Sequence, residues 1–175
     1  MAIKIVLGTE NDLDGITSLY DELNEALEAT VNYPGWKKGV YPTRNEAEIG
    51  VGSQTLYVAK LKSKIVGSII LNHTPEGAYS KAKWAYEAND DNILVVRTIA
   101  VHPEYRRLGI AEQLLQFAED FGKKHYIKAL RLDVYEKNIP GIHLYGKCGF
   151  EYVETLDLGL SEIGLDFFKL YEKKL

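Results

Sequence analysis

Apolar positions along the chain follow two different periods, and the alternation between them predicts secondary structure of both kinds. Runs that are rich in β-branched residues, or that alternate apolar with polar residues, predict strands. They lie at 3–7, 55–61, 64–71, 93–101, 129–134, 150–156 and 165–173. Apolar residues spaced three and four apart predict helices, which lie at 13–27, 44–49, 109–126 and 139–148.

This order of elements predicts a mixed α/β sheet with helices on its faces. The run 93–101 is almost continuously apolar, as expected of a central strand that is covered on both sides. Residues 30–43 contain two prolines and two glycines and predict a loop, whereas residues 72–91 are polar and predict no element. Asn11 is the expected N-cap of the first helix, and Gly149 is the expected C-cap of the fourth.

The composition is that of one folded globular domain. The chain has 175 residues, of which 46% are hydrophobic and 26% are charged, and it contains no repeat and no Gly/Ser-rich linker, so we expect residues 1–175 to form a single domain. The net charge of −4 argues against nucleic acid as a partner. The chain has no apolar run that would suit a secretion signal or a membrane span, so we expect a cytoplasmic protein without membrane contact.

Cysteine and histidine chemistry is sparse. Cys148 is the only cysteine, so an intrachain disulfide and a cysteine-based zinc site are excluded. The four histidines lie far apart in the sequence and form no HExxH pair. We therefore expect no metal.

The segment 101–111 combines features that suit an anion. A predicted buried strand ends at the start of this segment, and a long helix begins near Gly109. The first N–H groups of a helix have no partner within the helix and carry the positive end of its dipole. Gly109 has no side chain to block a phosphate, and Arg106 and Arg107 add positive charge. The alternative is that Gly109 only relieves local strain and that both arginines are solvated.

The spacing R-x-x-G-x-A, formed by Arg106, Gly109 and Ala111 after a strand, resembles the coenzyme A pyrophosphate loop of the GNAT superfamily of N-acetyltransferases. Rossmann and Walker loops fit poorly, because the segment has no GxGxxG and no GKS or GKT. The resemblance in element order spans the whole chain, and the specific motifs lie within 93–150.

A second motif of the same family is similar to the segment 130–150. In that motif a strand is followed by Asn, a short helix, Tyr and then Gly-Phe, and Asn138, Tyr145, Gly149 and Phe150 match these positions in order and spacing. The family usually has Ala where this chain has Gly141, a substitution that softens the start of the helix.

The resemblance implies the GNAT fold: a mostly antiparallel sheet of about seven strands, with helices on both faces and acetyl-CoA bound at a splayed parallel strand pair. Strands 93–101 and 129–134 would form that pair. Backbone groups of the first strand would hold the pantetheine arm, and N–H groups of the loop would hold the pyrophosphate. From the second motif, Asn138 would steady the pantetheine and Tyr145 would protonate the departing sulfur. The implied cofactor-binding residues are Ile99, Ala100, Val101, Arg106, Arg107, Leu108, Gly109, Ile110, Ala111, Glu112, Asn138 and Tyr145.

Tyr145 is the implied catalytic residue. A phenol with a pKa of about 10 is protonated at neutral pH and can return a proton to a leaving thiolate. Alternatively, Tyr145 only packs against the sheet, as most of the 12 tyrosines must. The strand 93–101 lacks the glutamate that relatives often carry there, and the general base is left unassigned among nearby carboxylates and water; the carboxylates are Glu87, Asp90, Asp91 and Asp133.

The expected reaction is transfer of an acetyl group from acetyl-CoA, one molecule per chain, to a primary amine such as a polyamine, an antibiotic or a peptide N-terminus. Tyr33, Trp36 and Tyr41 are the candidate acceptor residues, although aromatic residues can equally fix a loop to the core. The alternative function is a non-catalytic acyl-CoA-binding sensor or regulatory module. The run 165–173 either completes the sheet or offers an edge for a homodimer.

Overall fold

The structure is a computed structural model that describes residues 2–175. Within these residues the chain forms seven strands and four α-helices. In chain order they are β1 (Lys4–Leu7), α1 (Leu13–Glu28), α2 (Arg44–Gly52), β2 (Leu56–Leu61), β3 (Lys64–Asn72), β4 (Ile93–Val101), α3 (Ile110–Lys124), β5 (Ala129–Tyr135), α4 (Ile139–Lys147), β6 (Glu151–Leu156) and β7 (Phe168–Lys174). This is the predicted order, and most element ends differ from the prediction by three residues or fewer.

The strands form one sheet in the order β1-β2-β3-β4-β5-β7-β6. β4 and β5 pair in parallel, whereas β1 with β2, β2 with β3, β5 with β7 and β6 with β7 pair antiparallel. The predicted mixed, mostly antiparallel sheet of seven strands is therefore confirmed. The C-terminal strand β7 lies between β5 and β6, so it completes the sheet, and the idea that it offers a free edge for a homodimer is wrong.

The contacts of the chain group into two compact units, which are described separately. The first unit comprises 2–32, Trp36–Leu71 and Arg97–Phe117, and the second comprises Tyr33–Gly35, Asn72–Val96 and Ala118–Leu175. β4 and α3 each contribute residues to both units. That the whole chain acts as a single domain stays a prediction.

The core of the first unit forms where the apolar stripe of α1 meets β2 and β3. The helix positions share a face because they are three and four residues apart, and each side chain that leaves water contributes about 1.5–3 kcal/mol. The buried residues include Ile16, Leu19, Tyr20, Leu23, Leu27, Leu56, Val58 and Ile65. Asn11 does not cap this helix: Thr9 and Asp12 form a capping box one turn earlier, in which the N–H of Thr9 donates to Asp12 Oδ2 at 3.0 Å.

The second unit packs part of the segment 72–92 against its strands. Tyr79 from that segment is buried with Ile93, Val95, Ala129 and Leu170. Residues 72–91, for which the sequence predicts no element, include a short 3₁₀ turn at Gly77–Lys81, and a second turn at Asp90–Asn92 leads into β4. The position of this segment therefore depends on contacts with residues far away in the sequence.

Helix α4 ends one residue earlier than expected. Cys148 is its C-cap, and Gly149 follows in the left-handed region with φ +84°. The N–H of Phe150 reaches back to the carbonyl of Tyr145 at 3.0 Å, which closes the helix in the usual way for a glycine in this conformation.

Among residues 2–175, none of the four helices combines the length and apolar character needed to cross a membrane. In the same residues, no three His, Cys, Asp or Glu side chains are grouped as a metal site requires.

Candidate active site

The turn between β4 and α3 lies in the first unit and is built around His102. This side chain is 1% exposed, and its Nδ1 accepts a hydrogen bond from the N–H of Glu104 at 3.2 Å. Its Nε2 lies 2.8 Å from Glu22 Oε2, so the start of the turn lies beside α1. The chain then passes through Pro103–Tyr105, a short 3₁₀ turn, before the exposed residues at 106–108.

Two left-handed residues reverse the chain just before α3. Arg107 has φ +62° and Gly109 has φ +70°. Apart from chain neighbours, no described atom lies within 4 Å of the position that a Cβ on Gly109 would take. Gly109 is therefore required by its backbone conformation, and its position is open to an approaching group.

The start of α3 has the geometry of an anion site. The N–H of Gln113 donates to the carbonyl of Gly109 at 3.0 Å and makes a first-turn bond of the helix. The N–H groups before it, including those of Ile110 and Ala111, have no carbonyl to reach within the helix. Exposed Arg106 and Arg107 precede them, so the turn presents both fixed dipoles and positive charge.

Strand β4 is irregular just before the residues expected to hold a cofactor. Thr98 has φ +48°, which is rare for a β-branched residue and costs about 1–3 kcal/mol. Its hydroxyl is hydrogen-bonded to the hydroxyl of Tyr41. Beyond it, Ala100 is buried, while Ile99 and Val101 are partly exposed.

Two of the three candidate acceptor aromatics are in contact. The rings of Trp36 and Tyr41 meet edge to face with centroids 5.6 Å apart. Trp36 also packs against the core beside α1, and the side-chain amide of Asn24 donates to the carbonyl of Tyr41 at 3.2 Å. Both residues thus fix the loop 30–43. Tyr33 belongs to the second unit and is 39% exposed.

Asn138, in the second unit, is the N-cap of α4. Its Oδ1 accepts a hydrogen bond from the N–H of Gly141 at 3.1 Å. A Cβ at position 141 would lie 2.7 Å from Asn138 Nδ2. Gly141 therefore leaves room for the Asn138 side chain over the first turn. In the sequence this glycine is visible only as a departure from the usual Ala.

Tyr145 lies on α4 between two other aromatic residues. Its ring centroid is 5.9 Å from that of Phe150 and 6.4 Å from that of Tyr171. Burial raises the pKa of the Tyr145 phenol well above its ordinary value, and the charge of Asp133 and the neighbouring Cys148 raise this pKa further. The hydroxyl is therefore a proton donor at neutral pH.

The parallel pairing of β4 with β5 covers only the beginning of both strands. Its register runs from Ile93 opposite Ala129 to Val95 opposite Arg131. Each strand continues past its last pair, β4 to Val101 and β5 to Tyr135. Asp133 lies on this continuing part of β5.

The sequence prediction missed a polar network on β5. Arg131 is buried and its Nε donates to Glu172 Oε2 at 2.7 Å. Asp133 accepts a hydrogen bond from the Tyr79 hydroxyl at 2.5 Å. A signal was present, because two charged residues spaced by two in an otherwise apolar strand must share one face.

Comparison with known proteins agrees with this geometry. A sequence model of the acetyltransferase (GNAT) family matches residues 16–150. A streptothricin acetyltransferase of Escherichia coli is 31% identical over 94 residues, 54% of this chain. That match covers 45% of the E. coli protein, so the chain spans less than half the length of this curated relative.

Two solved structures have the same fold. A GNAT-family acetyltransferase of Streptococcus agalactiae has a TM-score of 0.79 and 23% identity, covering 99% of this chain and 95% of the other. The PaiA N-acetyltransferase of Thermoplasma acidophilum, solved in complex with coenzyme A, has a TM-score of 0.70 and 24% identity, covering 100% of both chains. Since the family match includes both motifs and most of the sequence, the chain belongs to the GNAT family of acetyltransferases.

Proposed function

We propose that the protein transfers the acetyl group of acetyl-CoA to a primary amine by direct attack of the amine on the thioester. The observation that carries this proposal is the turn before α3, where Arg107 and Gly109 take left-handed conformations and the helix start is open. Such a turn suits a pyrophosphate. Membership of the family supports acetyl-CoA as the ligand with that pyrophosphate.

The residues of each unit have separate roles in this proposal. In the first unit, backbone groups of β4 at 99–101 bind the pantetheine arm, and the N–H groups at 107–112 bind the pyrophosphate. The arginines of the turn add charge that favours the same anion. In the second unit, the Asn138 side chain steadies the pantetheine, and its Nδ2 is the group available for this because its Oδ1 caps α4.

The chemical step conserves atoms and charge in a simple way. The neutral amine nitrogen forms a bond to the thioester carbonyl carbon, the C–S bond breaks, and the sulfur leaves as a thiolate. The nitrogen becomes positively charged on attack and loses one proton to water as the amide forms. Tyr145 gives its phenolic proton to the thiolate sulfur and regains a proton through the same water, so the net products are the amide and the free thiol. The raised pKa of Tyr145 keeps its proton in place until the C–S bond begins to break.

The amine must lose a proton before it attacks. For an alkylammonium with a pKa of about 10.4 this costs about 4–5 kcal/mol at neutral pH. β4 carries no carboxylate, since it reads ILVVRTIAV. Water is the proton acceptor in this proposal, and the rate is expected to rise as the free amine becomes more abundant.

The acceptor class follows from charge and from the relatives. The net charge of −4 suits a cationic amine. The name of the E. coli relative supports a small antibiotic amine among the acceptors, and polyamines and peptide N-termini belong to the same chemical class. We expect the exposed ring of Tyr33, and the loop that Trp36 and Tyr41 fix, to contact the acceptor.

Thiol release from acetyl-CoA across a panel of polyamines, antibiotics, amino acids and short peptides tests this function. We expect acceptor-dependent release, which Tyr145→Phe lowers by about 10²–10⁴-fold. Tyr126→Phe is the control, because Tyr126 is 89% exposed. Failure of CoA to raise the melting temperature would refute acetyl-CoA binding.

The lack of a carboxylate on β4 keeps one second function in view: a sensor that binds acyl-CoA without turnover. The same assay separates the two functions. The sensor function predicts that CoA stabilises the protein, that no amine causes thiol release, and that Tyr145→Phe leaves CoA binding unchanged.

A further inference from the structure

A groove of about 580 Å³ lies in the second unit, beside the beginning of β5. It is lined by residues of the segment 82–92 together with Lys128 and Arg131. Asn138 and Tyr145, which the proposed reaction uses in this unit, follow the other end of β5. A strand rises about 3.3 Å per residue, so the two ends of this seven-residue strand are about 20 Å apart. The groove is therefore separate from those residues, and its volume is typical of small-molecule sites.

One wall of the groove has its backbone fixed to the last two strands of the chain. The N–H of Lys83 donates to Glu154 Oε2 on β6 at 3.1 Å. The N–H groups of Ala85 and Tyr86 donate to Glu172 Oε1 on β7 at 3.0 and 3.3 Å. A wall held in this way is formed before a ligand arrives, so binding needs little further ordering of the chain.

Arg131 lines the groove with a guanidinium whose donors are only partly used. The residue is buried, and its guanidinium lies over the Trp84 ring at 4.3 Å. Nε donates to Glu172 Oε2 at 2.7 Å, and Nη2 donates to the carbonyl of Tyr86 at 2.6 Å. Among residues 2–175 the third nitrogen, Nη1, has no hydrogen-bond partner, and it retains contact with solvent. It can therefore donate to an anion in the groove while the other contacts persist.

Two further cations lie at the groove. Lys83 and Lys128 line it and are exposed, and neither side chain forms an ion pair within the described part of the chain. The lining includes one carboxylate, Glu87, whereas Asp90 and Asp91 do not line the groove. The charges at the groove therefore sum to a positive value even when the buried ion pair is counted as neutral, in a chain whose net charge is −4.

Flat apolar surface lies beside these charges. Trp84 and Tyr86 line the groove and are half-buried. The Trp84 ring has a fixed position, because its Nε1 donates to the carbonyl of Tyr79 at 2.8 Å. Aromatic side chains offer a large contact area to another ring. Cations next to such surface suit a ligand that combines an anionic group with a planar ring.

We propose that this groove is a second ligand site, which binds a small aromatic compound carrying a phosphate or carboxylate group. Arg131 Nη1 donates to the anion, the two lysines add positive charge, and the ring packs on Trp84 and Tyr86. The site uses none of the residues assigned to acetyl transfer, so it does not depend on the proposed function.

Trp84 allows the test to be read at the groove itself. The chain has two tryptophans, so the ¹⁵N-labelled protein has two indole N–H signals, and the Trp84 signal is the one absent in Trp84→Phe. Phenyl phosphate, benzoate, phenol and inorganic phosphate are titrated separately. We expect the tighter of the two aromatic anions to bind about 10- to 100-fold more tightly than phenol, and also more tightly than inorganic phosphate. Comparing phenyl phosphate with benzoate decides which anionic group the groove prefers.

The variants test each source of positive charge. Lys83→Gln combined with Lys128→Gln should weaken binding of the aromatic anion about 5- to 10-fold and leave phenol unchanged. Lys124→Gln is the matched control, since Lys124 is exposed, lies in the same unit and does not line the groove. Arg131→Met combined with Glu172→Gln removes Nη1 and should lower the preference for the anion further. Circular dichroism confirms that each variant folds.

Four results would overturn the inference. They are an unchanged Trp84 signal with both aromatic anions at millimolar concentration, equal affinities for these anions and phenol, and an unchanged anion affinity in the double lysine variant. The fourth is displacement of the aromatic anion by CoA, because the groove would then belong to the cofactor. Thiol release without any of these compounds judges the proposed transferase separately.

Discussion

Replacing Glu172 by Gln removes the negative charge that Arg131 contacts in the second unit. Both side chains are almost fully buried, at 1% and 9% exposure. Glu172 Oε1 accepts the N–H groups of Ala85 and Tyr86 at 3.0 and 3.3 Å, while Oε2 accepts Arg131 Nε. A glutamine side chain has a single oxygen. Its NH₂ group must therefore face either the two backbone N–H groups or the guanidinium, and both are donors.

The expected loss of stability follows from this geometry. Leaving one partner of a buried ion pair without its counter-charge costs about 3–5 kcal/mol. For a chain of this size each kcal/mol lowers the melting temperature by about 2–4 °C, so we expect a fall of roughly 6–20 °C. That is a large part of a typical total stability of about 5–15 kcal/mol.

Urea unfolding followed by circular dichroism measures this change, with Glu162→Gln as the control because Glu162 is exposed. The control should stay within about 0.5 kcal/mol of the wild-type protein. The double variant with Arg131→Met should recover part of the loss, since it removes the charge that was left unpaired. A loss below about 1 kcal/mol in Glu172→Gln would refute the reasoning, because the pair would then be solvated.

Three further predictions concern the site. Burial and the charge of Asp133 raise the pKa of Tyr145, so its protonated form persists to high pH. In the wild-type protein, kcat/KM for an alkylamine, measured by thiol release, should therefore rise up to about pH 10; a fall in kcat/KM below that pH that disappears in Tyr145→Phe would contradict this. Gly109→Ala should lose about 1–2 kcal/mol in urea unfolding, since φ is +70° although the space is open, and CoA affinity should fall; Gly52→Ala, in open space at the end of α2, should lose nothing. Gly141→Ala should displace the Asn138 side chain and so change the NMR signals of its amide group. Loss of the cap should cost about 1 kcal/mol, which a similar gain in helix propensity offsets; unchanged Asn138 amide signals would contradict this.

The sequence predicts those parts of the fold that depend on local pattern. The buried strand β4 and the amphipathic helix α3 follow from periodicity, and both are present. Gly109 was expected at the turn because the start of a helix and a glycine coincide there. Even the capping error was local, since Thr9 and Asp12 have the spacing of a capping box.

The segment 72–92 shows where such prediction stops. Tyr79 and Asp133 are 54 positions apart, and Ala85 and Glu172 are 87 apart. These contacts are single polar pairs with no period, so no pattern in the segment itself indicates its position. The sequence also does not indicate where β7 lies within the sheet, because an edge strand and an interior strand have the same alternation of side chains between the two faces.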